Sequence, residues 1–367
     1  MKARRMLCQV SLMCTALAML AANAAAQTWK PAGPTPRWGH SAVLDTTSNR
    51  MVVFGGQITP SNASSPTNLN DVWRLNGNQT WTSVTPTGTA PLPRLWHSAV
   101  YDGGSNRMIV FGGAEGESSP CANDVWVLTN ANGNGGTPAW SQLSPSGGPP
   151  SPRAQHGAVY DPNTNTMIVF AGQDCFHTVF GDVWTLSNAN GIGGTPTWIQ
   201  LAIPGSGPSP REVTGGVVYD AASNNLILFG GSDSSGVHND VWVLSHANGQ
   251  GGTPGWTQLS PSGTLPPSRA NGSTIYDAKY NSLTIFGGQG TSGLLSDVWV
   301  LSDANGLGGT PAWAELGPFS LFAESRNFHT GVYNSKTHNM TIFGGFTTVG
   351  GSPTTNDVWV LSRANGR

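Results

Sequence analysis

Followed along its apolar and polar positions, the chain shows one pattern six times. A stretch alternating at a period of two, such as His97-Ser98-Ala99-Val100-Tyr101-Asp102, leads into a short turn. A continuous apolar run follows and ends in a glycine pair, as in Met108-Ile109-Val110-Phe111-Gly112-Gly113. After a variable segment comes Asp-Val-Trp, at 71–73, 124–126, 182–184, 240–242, 297–299 and 357–359. A fourth short stretch carries Trp-x-x-Leu or a near equivalent, opening at Trp81, Trp140, Trp198, Trp256 and Trp313. Short β-branched and aromatic runs bounded by Gly, Asn and Pro predict strands, four to a repeat. Each repeat opens on an arginine, at 37, 94, 153, 211, 269 and 326, so the period is 57 to 59 residues.

Composition supports strands over helices. Only 10% of the 367 residues are charged, and 49 Gly and 26 Pro suit many turns and few long helices. The same Gly and Pro content is found in disordered chains, but 14 Trp and 12 Phe give this one a core to bury.

Pro-Arg-x-x-His, then Phe-Gly-Gly, then Asp-Val-Trp, recurring from about Trp29 to Arg367, resembles the kelch motif. That resemblance implies an all-β, six-bladed kelch β-propeller of four-stranded antiparallel blades around a central channel. Repeat three departs with Ala171-Gly172 in place of Gly-Gly, and repeats four and five lack the His. Repeat six stops at Ala364-Asn365-Gly366-Arg367, without a fourth strand. Thr28-Trp29-Lys30-Pro31 carries the missing element, so an N-terminal strand is expected to complete the last blade. Such closure leaves no unpaired edge in the ring.

The first residues read as an export signal: Lys2, Arg4 and Arg5, an apolar stretch from Met6 to about Ala22, and Ala24-Ala25-Ala26 before Gln27. Residues 1–26 are therefore expected to be a signal peptide and 27–367 a single propeller, secreted or periplasmic, with no membrane span after cleavage. Removing those three cations takes the formal charge from −2 to −5, which gives no electrostatic reason to expect nucleic acid or an anionic membrane as partner. Nothing in the sequence points to an oligomer, and a monomer is expected. Cys8 and Cys14 leave with the signal. The remaining pair, Cys121 and Cys175, in an oxidising compartment reads as one disulfide, joining loops of adjacent blades.

With strands a to d running from channel to rim, the a–b and c–d loops share one face and the b–c and d–a loops the other. The a–b turns are near copies (Asp102 to Asn106, Asp161 to Asn165, Asp220 to Asn224), and the c–d loops repeat Ala-Asn-Gly-x-Gly-Gly-Thr-Pro. These read as architecture. A calcium role for the c–d loops is disfavoured by their shortage of carboxylates. The b–c loops share neither length nor charge, which makes the b–c/d–a face the expected site of recognition.

Candidate chemistry follows from that frame. Arg37, Arg94, Arg153, Arg211, Arg269 and Arg326 begin the innermost strands, where a basic ring would suit a carboxylate ligand. The kelch resemblance also implies that they tie neighbouring blades together. His40, His97, His156 and His329 recur three residues later, as a packing position would, and no metal or other cofactor is assigned. The Asp of Asp-Val-Trp is expected to satisfy backbone donors at the start of strand c. Polar residues that break the repeat are Glu115, Glu117, Asp174, His177, Glu212, Asp233, His238 and Glu324. The leading expectation is an exported, non-enzymatic module that binds a glycan or a protein through the variable loops. The alternative is a sugar-acid enzyme similar to the sialic acid mutarotases, using Arg211 and Glu212. A likeness to copper-radical oxidases fails, because Tyr101, Tyr160, Tyr219, Tyr276, Tyr280 and Tyr333 all fall toward the other face.

Overall fold

The computed structural model describes residues 33–59, 66–116, 120–317, 323–347 and 354–367. The expected export signal, the expected closing strand at residues 28–31, and Glu117 lie outside them. Blade 2 shows the plan: strand a is Ser98–Asp102, b Arg107–Ala114, c Cys121–Thr129 and d Ala139–Leu143, paired antiparallel in that order. Blades 1 to 5 each carry four such strands. Blade 6 shows three among the described residues, Thr330–Asn334, Asn339–Phe343 and Val358–Leu361. The innermost strands touch in a closed circuit, that of blade 1 meeting blade 2 on one side and blade 6 on the other. The chain is a six-bladed propeller, as its repeats predict.

Burial explains the apolar runs. Strand b is covered on both faces, so Thr166–Phe170 and Asn225–Phe229 are buried at every position. The hydrophobic clusters lie between blades rather than within them: Val52, Phe54 and Val72 of blade 1 pack with Met108, Leu128 and Trp140 of blade 2. The strand-d tryptophan lies against the strand-b phenylalanine of the preceding blade, Trp140 on Phe54 at 5.0 Å and Trp198 on Phe111 at 5.1 Å. Trp81 lies on Phe343 at 4.8 Å, which carries the same joint across the seam between blades 6 and 1. Each such ring pair contributes roughly 0.5–1.5 kcal/mol beyond the area it buries.

The glycine pair is a bulge. Register slips between Phe54 and Gly56, and again between Phe111 and Gly113, with φ of 65° and 92° at Gly55 and Gly56. A Cβ on Gly55 would stand 2.9 Å from the Arg94 carbonyl oxygen and 3.0 Å from His97 Cε1 of the next blade. Blade 3 has Ala171 at this place, with φ 63°. The blade it faces lacks the His, which removes one close neighbour that a Cβ meets at this place. Another is the arginine carbonyl, which at Gly230, also facing a blade without His, would stand 2.6 Å from a Cβ.

The face of copied loops is clipped from blade to blade. Asn132 of the blade 2 c–d loop donates to Asp45 of blade 1 at 2.7 Å, and Asn190 to Asp102 and Asn248 to Asp161 do the same at 2.7 Å. Both partners are buried in each case. These loops are the architecture their repetition implied.

Candidate functional site

The six arginines are spent inside their own blades. Each side chain is 0–3% exposed. Each donates to the Asp of its own Asp-Val-Trp: Arg37 to Asp71, Arg94 to Asp124, Arg153 to Asp182, Arg211 to Asp240, Arg269 to Asp297 and Arg326 to Asp357, at 2.6–2.7 Å. The same guanidinium donates to the carbonyl of the first residue of the glycine pair, for example Arg94 Nη1 to Gly112. Blade-to-blade ties come from the arginine backbone instead: Gly56 N–H donates to the Arg94 carbonyl at 2.9 Å, and Gly345 N–H to that of Arg37 at 2.9 Å. The expected open basic ring is thus replaced by a ring of closed ion pairs. The Asp does more than the backbone role expected of it, which Asp182 and Asp297 fill by accepting their own backbone N–H. It receives the arginine and, through Asp182 Oδ2 for instance, the indole N–H of Trp184 at 2.7 Å.

The four histidines are seam residues. His97 Nε2 meets Ser41 Oγ at 2.8 Å and His156 Nε2 meets Ser98 Oγ at 2.8 Å, each reaching into the preceding blade. Their rings stand edge-on to Phe54 and Phe111 at 5.1 Å. Burial, reinforced by the charge of the neighbouring arginine, lowers the pKa of His156 and His329 to about 3. Among the described residues, no group of His, Cys, Asp and Glu is placed to hold a metal ion.

What faces the mouth of the channel is the two positions after each arginine. The second of these, Gly39, Trp96, Gln155, Asn271 and Phe328, has φ between 51° and 63°. Main-chain bonds link these residues from blade to blade: Trp96 N–H to Gly39 C=O at 2.8 Å, Gln155 to Trp96 at 3.0 Å, and Val213 to Gln155 at 2.9 Å. Phe328 to Asn271 at 2.8 Å and Gly39 to Phe328 at 3.0 Å carry the belt across the closing seam. In blade 4 one extra residue separates Arg211 from Asp220, and there the Val213 carbonyl accepts from Gly216 of its own blade at 2.8 Å. Bulky residues rarely take positive φ, so Trp96, Gln155 and Phe328 are held in an uncommon conformation by this belt.

Above the belt and off the axis lies a cleft of about 350 Å³ over blades 1 to 4. Trp38 and Trp96 form one corner, their rings 5.6 Å apart at 69°. Gln57, Gln155, Gln173 and Glu212 supply polar lining. The far wall is the blade 3 b–c loop, where Asp174 Oδ1 accepts the N–H of Phe176 at 2.9 Å and of Thr178 at 2.7 Å. The expected disulfide is present: Cys175 in this loop is bonded to Cys121, with Cα atoms 5.3 Å apart. Phe176 at the loop's tip is 76% exposed. A second space of about 190 Å³ follows the channel itself, between strands a.

The non-repeated polar residues divide. Glu212, Asp174 and His177 reach the cleft. Burial raises the Glu212 pKa, against a hydrogen bond from Ser232 and the influence of His177. Glu115 pairs with Arg94 at 3.0 Å, and Asp233 with His238 at 3.0 Å. Glu324 is exposed, and its carbonyl accepts from Arg326 Nε. Arg211 and Glu212 are not brought together as an acid–base pair: Arg211 is 2% exposed and donates to Asp240, Gly230 and Ser209. Sequence reasoning passed over Trp38, Trp96, Gln155 and Gln173. For Trp96 and Gln155 the signal was there, since the second position after the arginine differs in every repeat while the arginine never does. Gln173 carries no such mark, because repeats one and five have Gln57 and Gln289 at its place.

With a closed ring of four-stranded blades, Arg–Asp–Trp triads and glycine bulges in place, the class is a kelch-type propeller. Residues 9–134 and 106–302 match the model of the KLHDC2/KLHL20/DRC7 Kelch-repeats domain, and the chain belongs to the kelch-repeat family. It is 31% identical over 261 residues, 68% of its length, to the leucine-zipper-like transcriptional regulator 1 homolog of Drosophila melanogaster. It is 26% identical over 328 residues, 85% of its length, to the dynein alpha chain of the flagellar outer arm of Chlamydomonas reinhardtii. The chain spans only 24% and 7% of those two relatives. The solved structure of YjhT superposes with a TM-score of 0.61 at 16% identity, over 90% of this chain and 96% of that one, a likeness of fold.

Proposed function

We propose that this propeller is an exported recognition module that engages a glycan or protein ligand on the b–c/d–a face. One observation carries the reading: the two faces differ in kind. The a–b/c–d face is stitched by buried Asn–Asp bonds between blades. The other face holds the cleft, the disulfide-fixed loop and the exposed Phe176. A rigid scaffold presenting variable loops is how recognition is commonly built. The relatives bear names as different as a transcriptional regulator and a flagellar dynein, so the likeness supports the scaffold and leaves the ligand to this chain's own cleft. Catalysis on sugar acids finds less support, because the arginine it would draw on is enclosed by Asp240.

The test has two arms. Mass analysis of the exported chain should find it starting at Gln27. The purified chain, screened on glycan and protein arrays, should bind through the variable face: Phe176→Asp should abolish binding, and Arg50→Ala on the clipped face should leave it intact. The opposite pattern would sink the assignment of the face. Turnover of a sialic acid anomer, lost in Glu212→Gln, would replace the module with an enzyme.

A further inference from the structure

The cleft's unmet hydrogen bonds narrow the ligand, given the recognition face proposed above. Gln155 and Gln173 are 5% and 6% exposed and line the cleft, and the Oε1 atom of each is buried without a partner. Trp96 Nε1, also in the lining, is buried and unpartnered too. A buried polar atom left unpaired costs roughly 1–3 kcal/mol, so three around one cleft mark a place built for a ligand's polar groups. The need is mostly for donors: two amide oxygens and the Glu212 carboxylate accept, and one indole N–H gives.

Charge limits the choice further. The six arginines are sealed in ion pairs. Among the described residues, the remaining cationic side chains, such as Arg50, Arg107 and Lys279, belong to the a–b turns and c–d side of the ring. Asp174 and Glu212 are the carboxylates that reach the cleft, and no lysine or arginine lines it. An anionic ligand would meet the repulsion of both carboxylates, with only the His177 imidazole to set against it. A ligand rich in O–H donors, uncharged, and with C–H faces to lay against Trp38 and Trp96 is a neutral sugar. We infer that the cleft takes an uncharged saccharide unit, seated on the Trp38–Trp96 corner with its hydroxyls on Gln155, Gln173 and Glu212. Cys175, fixed to Cys121, and the Asp174-capped loop hold the opposite wall in place, so little ordering cost attends binding.

The test is titration of the purified full chain with neutral hexoses, pentoses and their short oligomers, beside galacturonate and N-acetylneuraminate. Tryptophan fluorescence and calorimetry give the readouts. Neutral sugars should bind saturably and quench indole emission, with the sugar acids at least about tenfold weaker. Gln155→Ala and Gln173→Ala should each weaken binding by about tenfold, the worth of one hydrogen bond, at unchanged thermal unfolding. Gln155→Glu keeps the shape and adds charge, and should reject the sugar acids still more strongly. Tighter binding of the acids, or neutral-sugar binding indifferent to both glutamine variants, would overturn the inference. If no sugar of the panel binds and a protein ligand is instead lost in Phe176→Asp, the saccharide is refuted while the recognition face stands. If a sugar binds and only clipped-face variants abolish it, both fail.

Discussion

Arg153 grips Asp182 with both terminal nitrogens, at 2.7 and 3.0 Å, while its Nη1 also donates to the Ala171 carbonyl at 3.0 Å. One buried cation thereby joins the start of strand a, the end of strand b and the start of strand c. Burial opposes a charged Asp182, but the hydrogen bonds and charge of Arg153 outweigh it and hold the carboxyl below its ordinary range. Asp182→Asn leaves the guanidinium buried and uncompensated, and should cost about 3 kcal/mol or more in urea unfolding. The double replacement Arg153→Met with Asp182→Leu should cost less than Asp182→Asn alone. A double variant less stable than the single would show that the triad acts by something other than paired charge.

The seam histidines predict acid sensitivity. His156 and His329 have folded pKa values of about 3, against roughly 6.5 in an unfolded chain. Between those values the unfolded state binds more protons, so stability rises with pH. The contribution is complete above about pH 6.5 and is lost as pH falls toward 3, at up to ~1.4 kcal/mol per pH unit for each histidine. His40 and His97 are shifted the same way, by burial first and then by Arg37 and Arg94. Unfolding midpoints should hold from pH 7.5 to about 6.5 and fall steadily from there to pH 5, and His156→Gln should flatten that slope while lowering stability at neutral pH. An unchanged slope would mean the imidazole is not buried neutral.

The bulge glycines give a paired prediction. A Cβ on Gly112 would stand 3.1 Å from His156 Cε1, at a φ of 64° that side chains avoid. Gly112→Ala should therefore destabilise by about 2 kcal/mol, as strain at a special backbone position does. Ala171→Gly, at the place where the next blade has no His, should change stability by less than about 1 kcal/mol. Equal effects of the two would refute the idea that blade 3 tolerates Ala because the imidazole is missing.

Much of this was legible in the sequence, and the misreadings have a common cause. Blades, bulges and the seam histidines follow from periodicity that local physics enforces in every copy. The arginines show where that reasoning stops. Their position on strand a was readable, but whether a side chain turns toward the channel or back along the blade depends on a carboxylate 28–34 residues away. That Arg and Asp recur together in all six repeats was the available clue to their pairing. The cleft was less legible. Trp38, Trp96 and Gln155 sit beside the arginines and Gln173 just past the Ala171-Gly172 pair. The unpartnered burial of polar atoms of Trp96, Gln155 and Gln173 is a property of packed blades that no linear pattern carries. The extra residue of repeat four could be counted, yet its effect on the Val213 carbonyl could not.

The disulfide should matter for the cleft as well as for the ring. Cys121 opens strand c of blade 2, and Cys175 lies 54 residues on, in the loop whose turn Asp174 caps. A closed loop of that length is worth about 4 kcal/mol through the entropy of the unfolded chain. Cys121→Ser with Cys175→Ser should therefore lower unfolding stability by up to that amount, and reductant should do the same to the parent and nothing to the variant. Locally, amide exchange should rise at Asp174 to Thr178, because the loop then keeps only its own hydrogen bonds and one wall of the cleft loosens. The a–b turns at Asp102 and Asp161, held by Asn190 and Asn248, should exchange as before. Faster exchange spread evenly over all six blades would assign the bond to the stability of the whole ring and remove it from the account of the cleft.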